Sequence, residues 1–356
     1  MPTISAPATV LVTGANGFIG LWTVLDLLAR GYTVRGMALS SSKVDALEAI
    51  VRRKHPEAKD RFKGYVVEDI TKDGAFDQAL EGVDGVIHTA SPLSSSSNYP
   101  KAFIKPAVQG TVSILESAMR SASVKRVVIV SSIVAMADSS VAPPRTYTEE
   151  DWNDRVVKVV QEQGKDAPSK AKYDASKVLA ERAAWDFVDR HKAEARFDLS
   201  VVNPAWVFGP VADDTLPSPA SLSGTPLYFY NMLFARPAPR ERFPACTNWV
   251  HVRDVSEMLI RALEVPEAGG ERIIANGHVS TWTQWLLANQ TLELVPQLDT
   301  VDPTEAEKPC APHAYFANEK SKRIFGIKYR GVSETFADVV DDFRARGWLQ
   351  HLQVEG

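Results

Sequence analysis

Apolar residues along this chain fall into short β-branched blocks separated by stretches with helical spacing. Residues 8–13 (ATVLVT) form the first block, residues 18–30 carry apolar positions at helical intervals, and Gly31 closes that helix. The block recurs at 32–36, 64–67, 85–88 and 126–130, with helical segments between. A long helical stretch at 169–191 then leads into a buried-strand run at 199–202 that ends at Asn203-Pro204. Strand and helix in alternation predict a parallel sheet covered on both faces, the doubly wound α/β (Rossmann) class.

After residue 205 the pattern changes. Residues 210–245 are rich in proline and aromatics, with Tyr228, Phe229, Tyr230 and Phe234 clustered, which suits a mobile or irregular substrate lid better than sheet core. The expected organisation is a dinucleotide-binding domain of residues 1–204 and 251–272. A smaller, discontinuous C-terminal substrate lobe takes residues 205–250 and 273–356. Ser94 to Ser97 is the one low-complexity patch and reads as a flexible loop.

Composition narrows the partners. A chain of 356 residues that is 45% hydrophobic buries a large core, and a net charge of -4 supplies no general field for nucleic acid or anionic membranes. No run reaches the length of a membrane span, and the apolar start lacks a basic region before it. Two cysteines, Cys246 and Cys310, are too few for a disulfide framework and have no zinc spacing, so the expectation is a reducing, cytoplasmic setting without metal. A small molecule is the expected partner, and the chain as monomer or homodimer is left open.

Candidate chemistry begins between the first strand and first helix, where Thr13-Gly14-Ala15-Asn16-Gly17-Phe18-Ile19-Gly20 sets three glycines at three-residue spacing. That pattern in that context provides a tight turn, a close backbone approach and a helix N-terminus, the three requirements for holding a pyrophosphate. About twenty residues on, where an acidic residue selects NAD, none is found. Arg35, Ser40, Ser41, Ser42 and Lys43 occupy the region instead and suit a 2′-phosphate, which favours NADPH.

Of the nine tyrosines, only Tyr173 has a lysine four residues later, at Lys177, a spacing that puts both on one face of the expected helix. A tyrosine with the ordinary pKa of about 10 needs a nearby cation to stabilise its phenolate, and Lys177 supplies one. Ser131-Ser132 ends the strand at 126–130, whose carboxyl end points at the ligand crevice of a parallel sheet. A hydroxyl there is positioned to bind a carbonyl oxygen as charge develops, an interaction of roughly 2 to 4 kcal/mol.

In order, TGANGFIG, GYTVRG, VEDI, HTASP, RVVIVSS, YDASK, VVNPAWVFGP and WVHVRDV resemble the extended short-chain dehydrogenase/reductases. Within them the chain is similar to the branch of dihydroflavonol reductases, cinnamoyl-CoA reductases and yeast or fungal carbonyl reductases. The resemblance implies a catalytic serine, tyrosine and lysine at Ser132, Tyr173 and Lys177, with Ser132 preferred as the last serine of its run. Tyr173 then donates a proton to the alkoxide, Lys177 binds the nicotinamide ribose and lowers the tyrosine pKa, and Ser132 polarises the carbonyl. It also implies pyrophosphate contacts at Gly14, Gly17, Phe18, Ile19 and Gly20, adenine contacts at Asp69 and Ile70, a strand end beside the cofactor at Ala90 and Ser91, and nicotinamide contacts at Pro204 and Val207.

One departure stands out. Where the family shows an arginine after the second strand, in a pattern like GTARS, this chain has Gly36-Met37-Ala38-Leu39-Ser40, which leaves NADH possible beside NADPH. The implied function is reduction of an aldehyde or ketone, hydrophobic, aromatic or a keto ester. A sugar-nucleotide epimerase or dehydratase is the alternative on the same fold; its tyrosine-glycine pair after the serines is missing from Ser132-Ile133-Val134-Ala135-Met136. A non-catalytic NADP(H) sensor is the alternative of another class; such relatives lack the tyrosine and lysine. His88 and His251 read as core or hinge residues, Asp254 as a helix cap, and Phe103, Trp206, Phe208, Tyr228 and Trp249 as core or pocket lining.

Overall fold

In the computed structural model, residues 3–91, 98–138, 140–308, 310 and 312–353 are described. The patch Ser94 to Ser97 lies outside them. The first half runs β1 (Thr9–Thr13), α1 (Phe18–Ala29), β2 (Thr33–Ala38), α2 (Ser41–Lys54), β3 (Phe62–Val66), α3 (Asp77–Leu80), β4 (Gly85–His88), α4 (Lys101–Arg120), β5 (Arg126–Val130), β6 (Arg145–Tyr147), α5 (Asp154–Gln163) and α6 (Ser169–Arg190). The second runs β7 (Asp198–Pro204), β8 (Trp206–Phe208), α7 (Gly224–Leu233), β9 (Cys246–His251), α8 (Val252–Glu264), β10 (Arg272–Ala275), β11 (His278–Thr281), α9 (Trp282–Leu292), α10 (Pro303–Ala306), β12 (Ala314–Phe316), α11 (Glu319–Phe325) and α12 (Val332–Ala345).

Seven strands pair in parallel in the order β10-β7-β5-β4-β1-β2-β3. The order reverses between β1 and β4, so the carboxyl ends of these two strands open the crevice where such sheets bind ligands. The inner strands β1, β4, β5 and β7 are buried almost throughout, as a position between two helical layers requires, whereas the edge strand β3 is half-exposed. On one face Leu21, Val24 and Leu28 of α1 pack with Met258, Leu259 and Leu263 of α8 over Val10 and Val12. On the other, Ile114 and Leu115 of α4 and Ala184 and Phe187 of α6 cover Val86, Val127 and Leu199.

The lobe has its own core, built on the three-stranded sheet β11-β9-β8 with α7, α9 and α12. The structure differs from the sequence expectation in the aromatic run and in the extent of the large sheet. The aromatic run is not an irregular lid: it forms α7, and Phe229, Tyr230 and Phe234 are buried against Trp282, Trp285 and Phe343. Phe208 and Trp249 are fully buried in the same cluster, which is the core reading of the two given for them. The large sheet also continues to Ala275, three residues past 272, and α11 returns from the lobe side to pack Phe325 into the main core.

Cys246 at the start of β9 and Cys310 before β12 are joined in a disulfide, against the expectation of two reduced thiols. Sixty-four positions separate them in sequence, yet the fold brings their Cα atoms to 6.0 Å, within the reach of a disulfide. Spacing alone could not reveal that proximity.

Candidate active site

The glycine loop is held by contacts that forbid larger residues. Gly14 has φ +63, and a Cβ there would lie 2.9 Å from the backbone of Ala90. At Gly20 a Cβ would stand 2.2 Å from the Gly14 carbonyl oxygen, so the first turn of α1 can close on the loop only as glycine. Thr13 Oγ1 accepts from Ala90 N at 3.2 Å and Thr89 Oγ1 donates to the Thr13 carbonyl at 2.6 Å, which locks the ends of β1 and β4 together at the switch point. Gly17 precedes α1 without a side-chain cap, which leaves the helix N-terminus facing the crevice. Phe18 packs against both the main and the lobe core, and Ile19 against the main one. This cradle, with bare backbone at a helix N-terminus, fits the pyrophosphate of a nicotinamide dinucleotide.

The residues expected around the adenosine half separate. Ile70 packs on Gly110 of α4 and lines the cavity beside Lys177. Asp69 Oδ1 accepts from the backbone and hydroxyl of Thr71, bonds that hold its carboxyl below the usual carboxylate range. Ser40 caps α2, its Oγ accepting from Lys43 N at 3.4 Å, and the exposed Leu39 and Lys43 flank that cap. Arg35 sits mid-strand in β2, its guanidinium donating to the Ala79 carbonyl of α3 at 2.8 Å and lying over the Tyr65 ring, whereas the serines and Lys43 lie at the start of α2.

Across the crevice, α6 carries Tyr173 and Lys177 on one face, with Lys177 Nζ 5.9 Å from the centre of the tyrosine ring. Small residues let this helix lie close to α4: Ala175, Ala180 and Ala184 are buried. Lys177 Nζ donates to Ser91 Oγ at 3.1 Å, joining the strand end after β4 to the lysine. Ser132 follows β5 and caps a 3-10 turn, its Oγ accepting from Val134 N at 3.3 Å and reaching the Pro204 carbonyl at 3.5 Å. These long contacts leave the hydroxyl available. Ser131 is committed elsewhere, donating to Glu181 Oε2 at 2.6 Å, which is the physical ground for choosing Ser132. Val207 is buried in β8 beside β9.

Burial governs the titrating groups. It pushes the Tyr173 hydroxyl up to about 12, with the Asp174 charge adding to the rise. Against the expectation that Lys177 lowers it, the two causes acting on the phenol, burial and the Asp174 charge, both raise it. Burial draws Lys177 down to about 8, opposed by the Glu181 charge. His88, bonded through Nδ1 to Thr13 Oγ1, is driven to about 3 by burial and then by Lys177, and so stays neutral.

Two minor readings change. His251, not Asp254, caps α8, its Nδ1 accepting from Arg253 N at 3.0 Å. Asp254 lies inside the first turn and pairs with Arg330. Trp206 is 41% exposed and meets Tyr228 with ring centres 4.6 Å apart.

The model of the NAD dependent epimerase/dehydratase family matches residues 10–276, the span from the first strand of the large sheet past its last. The chain belongs to this family. Within it the chain is an extended short-chain dehydrogenase/reductase, and several of its relatives are named as reductases. It is 32% identical to a cinnamoyl-CoA reductase of Medicago truncatula over 95% of this chain and 96% of that one. With a ketoreductase of Aspergillus niger it shares 32% identity over 93% and 96% of the two chains. The crystal structure of yeast methylglyoxal/isovaleraldehyde reductase Gre2 complexed with NADPH superposes with a TM-score of 0.80 at 29% identity, covering 95% of this chain and 99% of that one. By this kinship the chain is an oxidoreductase. No described helix is long and apolar enough to cross a membrane.

Proposed function

We propose that this chain is an NADPH-dependent carbonyl reductase that turns an aldehyde or ketone into an alcohol at Ser132, Tyr173 and Lys177. The observation that carries the reading is the pairing of Tyr173 and Lys177 on one face of α6, with Lys177 bonded to Ser91 at the sheet's switch point. The bound dinucleotide supplies a hydride to the carbonyl carbon. Ser132 Oγ donates to the carbonyl oxygen as negative charge gathers there. Tyr173, protonated at neutral pH as any phenol is and held so to higher pH by burial, delivers that proton to the alkoxide oxygen. Lys177 holds the ribose and offsets the charge left on the phenolate. Gly14, Gly17 and Gly20 admit the pyrophosphate, and Pro204 and Val207 line the nicotinamide end.

The exposed face of Trp206, tilted against the Tyr228 ring just beyond Pro204, supports a hydrophobic or aromatic substrate, aryl ketones and β-keto esters included. The NADPH complex of the yeast relative supports the choice of dinucleotide, while Leu39 in place of an arginine supports tolerance of NADH.

The test follows loss of the reduced nicotinamide absorbance with wild type and Tyr173→Phe on a panel of aldehydes, β-keto esters and aryl ketones. Consumption by wild type should fall about a hundredfold or more in the variant, while NADPH binding measured by fluorescence persists. Binding of NADPH without consumption of any carbonyl would sink the reductase reading in favour of a sensor. Release of an epimerised sugar nucleotide with no net change in dinucleotide would favour the epimerase.

A further inference from the structure

Glu181 lies one helical turn beyond Lys177 on α6 and is 1% exposed. Both of its oxygens are occupied. Oε2 accepts from Ser131 Oγ at 2.6 Å and Asn203 Nδ2 at 2.8 Å, and Oε1 from Arg272 Nε at 2.6 Å and Trp185 Nε1 at 3.5 Å. One carboxylate thereby ties the ends of β5 and β7 and the start of β10 to the catalytic helix. Burying a carboxylate and a guanidinium is costly, and apolar residues of similar volume join strands to a helix with less penalty. A charged group in this place therefore needs another reason.

The reason lies on its other side. Glu181 and Lys177 line one small, partly open cavity of about 20 Å³ with His88, Ser91, Thr111 and Ser131. That is room for a single water with several polar partners. We propose that Glu181 is a positioning residue for the active site, the fixed counter-charge across this cavity that keeps Lys177 an ammonium while its bonds hold Ser131 and hence Ser132 in register. This rests on the role given to Lys177 above.

The surroundings of Lys177 leave Glu181 as the acid that acts on it. From β4 it meets His88, held neutral, and Ser91 after the strand. From α4 it meets Ala107 and Thr111. The charged residues of α4 lie elsewhere: Lys101 and Lys105 are exposed, Glu116 is half-buried, and Arg120 pairs with Asp77. On α5, Asp154, Arg155, Lys158 and Glu162 are exposed, and Asp154 pairs with Arg182. On α6 itself Asp174 pairs with Lys170, and Lys172 donates to the Lys165 carbonyl. Arg272 stands behind Glu181, donating to the carbonyls of Glu149 and Asp151 and lying over the Trp152 ring at 3.7 Å. Burial and the Glu181 charge, in that order, are the two causes acting on the lysine.

The test reads Lys177 directly, without turnover. The full chain is labelled with acetic anhydride from neutral to strongly alkaline pH, and the Lys177 peptide is quantified by mass spectrometry. Glu181→Gln should lower the labelling midpoint of Lys177 by about one pH unit. Arg272→Met, which removes the cation opposing Glu181, should raise it, and Glu181→Asp, which keeps the charge, should stay near wild type. An unchanged midpoint in a folded Glu181→Gln protein, or shifts of the same sign in Glu181→Gln and Arg272→Met, overturns the proposal and leaves Glu181 a structural strut. If Glu181→Gln does not fold, the required rise in Arg272→Met decides. Because labelling needs no substrate, failure of the carbonyl panel and failure of this inference are separate results.

Discussion

At the scale of single residues, the site depends on where burial leaves charge. Lys177 is driven down to about 8, so it carries its ammonium below that pH and loses it above. Tyr173 keeps its proton up to about 12 and His88 gains none above about 3, so neither imposes a limb between them. The value of kcat/KM for the dinucleotide, which reports the free enzyme, should therefore fall as pH rises through about 8, with no acid limb from this trio near neutrality. A flat profile through that range would show that the lysine charge is not required. Leu39 is the other decisive residue: 48% exposed beside the Ser40 cap, it offers nothing to a phosphate, and Arg35 is tied to Ala79. Leu39→Arg should tighten NADPH by about tenfold, as a charge-assisted bond of roughly 1.5 to 3 kcal/mol allows, and leave NADH unaffected. Fluorescence titration with both dinucleotides measures the ratio.

At the scale of elements, the β1 to α1 turn does the most with the least tolerance. In Gly20→Ala the new methyl meets the Gly14 carbonyl oxygen, so the turn must open and α1 must move off β1. Dinucleotide affinity should drop by tenfold or more, about 1.4 kcal/mol or above, with a lower Tm. Calorimetry of the folded variant checks both, and unaltered affinity would remove the loop from the binding site. The helices divide the labour by composition. The small residues of α6 allow close packing, whereas α7 is aromatic and serves the lobe core. Arg126 shows that charge at a strand start can be structural: fully buried, it pairs with Asp198 and donates to the carbonyls of Ala262 and Val265, fastening β5 to α8 and the turn after it.

At the scale of the whole molecule, two cores meet along the crevice, and Phe18 packs into both. The disulfide between Cys246 and Cys310 spans 64 positions and ties the segment before β12 to the lobe sheet. Denatured, unreduced protein should then titrate no free thiol, and Cys310→Ser should cost roughly 2 to 4 kcal/mol in urea unfolding. Two thiols in the unreduced protein would mean that this link does not form in solution.

Much of this was readable along the chain because local periodicity reports local burial. The β-branched blocks at 85–88 and 126–130 became β4 and β5 residue for residue, and the helix expected at 169–191 ends one residue earlier. The placement of the glycine loop and of the tyrosine-lysine pair was equally legible, since each is set by spacing within one turn or one helix. Contacts between distant segments were not. The aromatic run at 228–234 has the same composition whether it covers a site or fills a core, and only its packing against α9 and α12 makes it core. The direction of Arg35, the meeting of two cysteines and the gathering of Ser131, Asn203 and Arg272 on Glu181 are likewise decided in three dimensions. Sequence determined the sheet, the loop and the tyrosine-lysine spacing, because these depend on near neighbours. Tertiary structure alone decided which charges are buried together, because that depends on residues up to 91 positions apart along the chain.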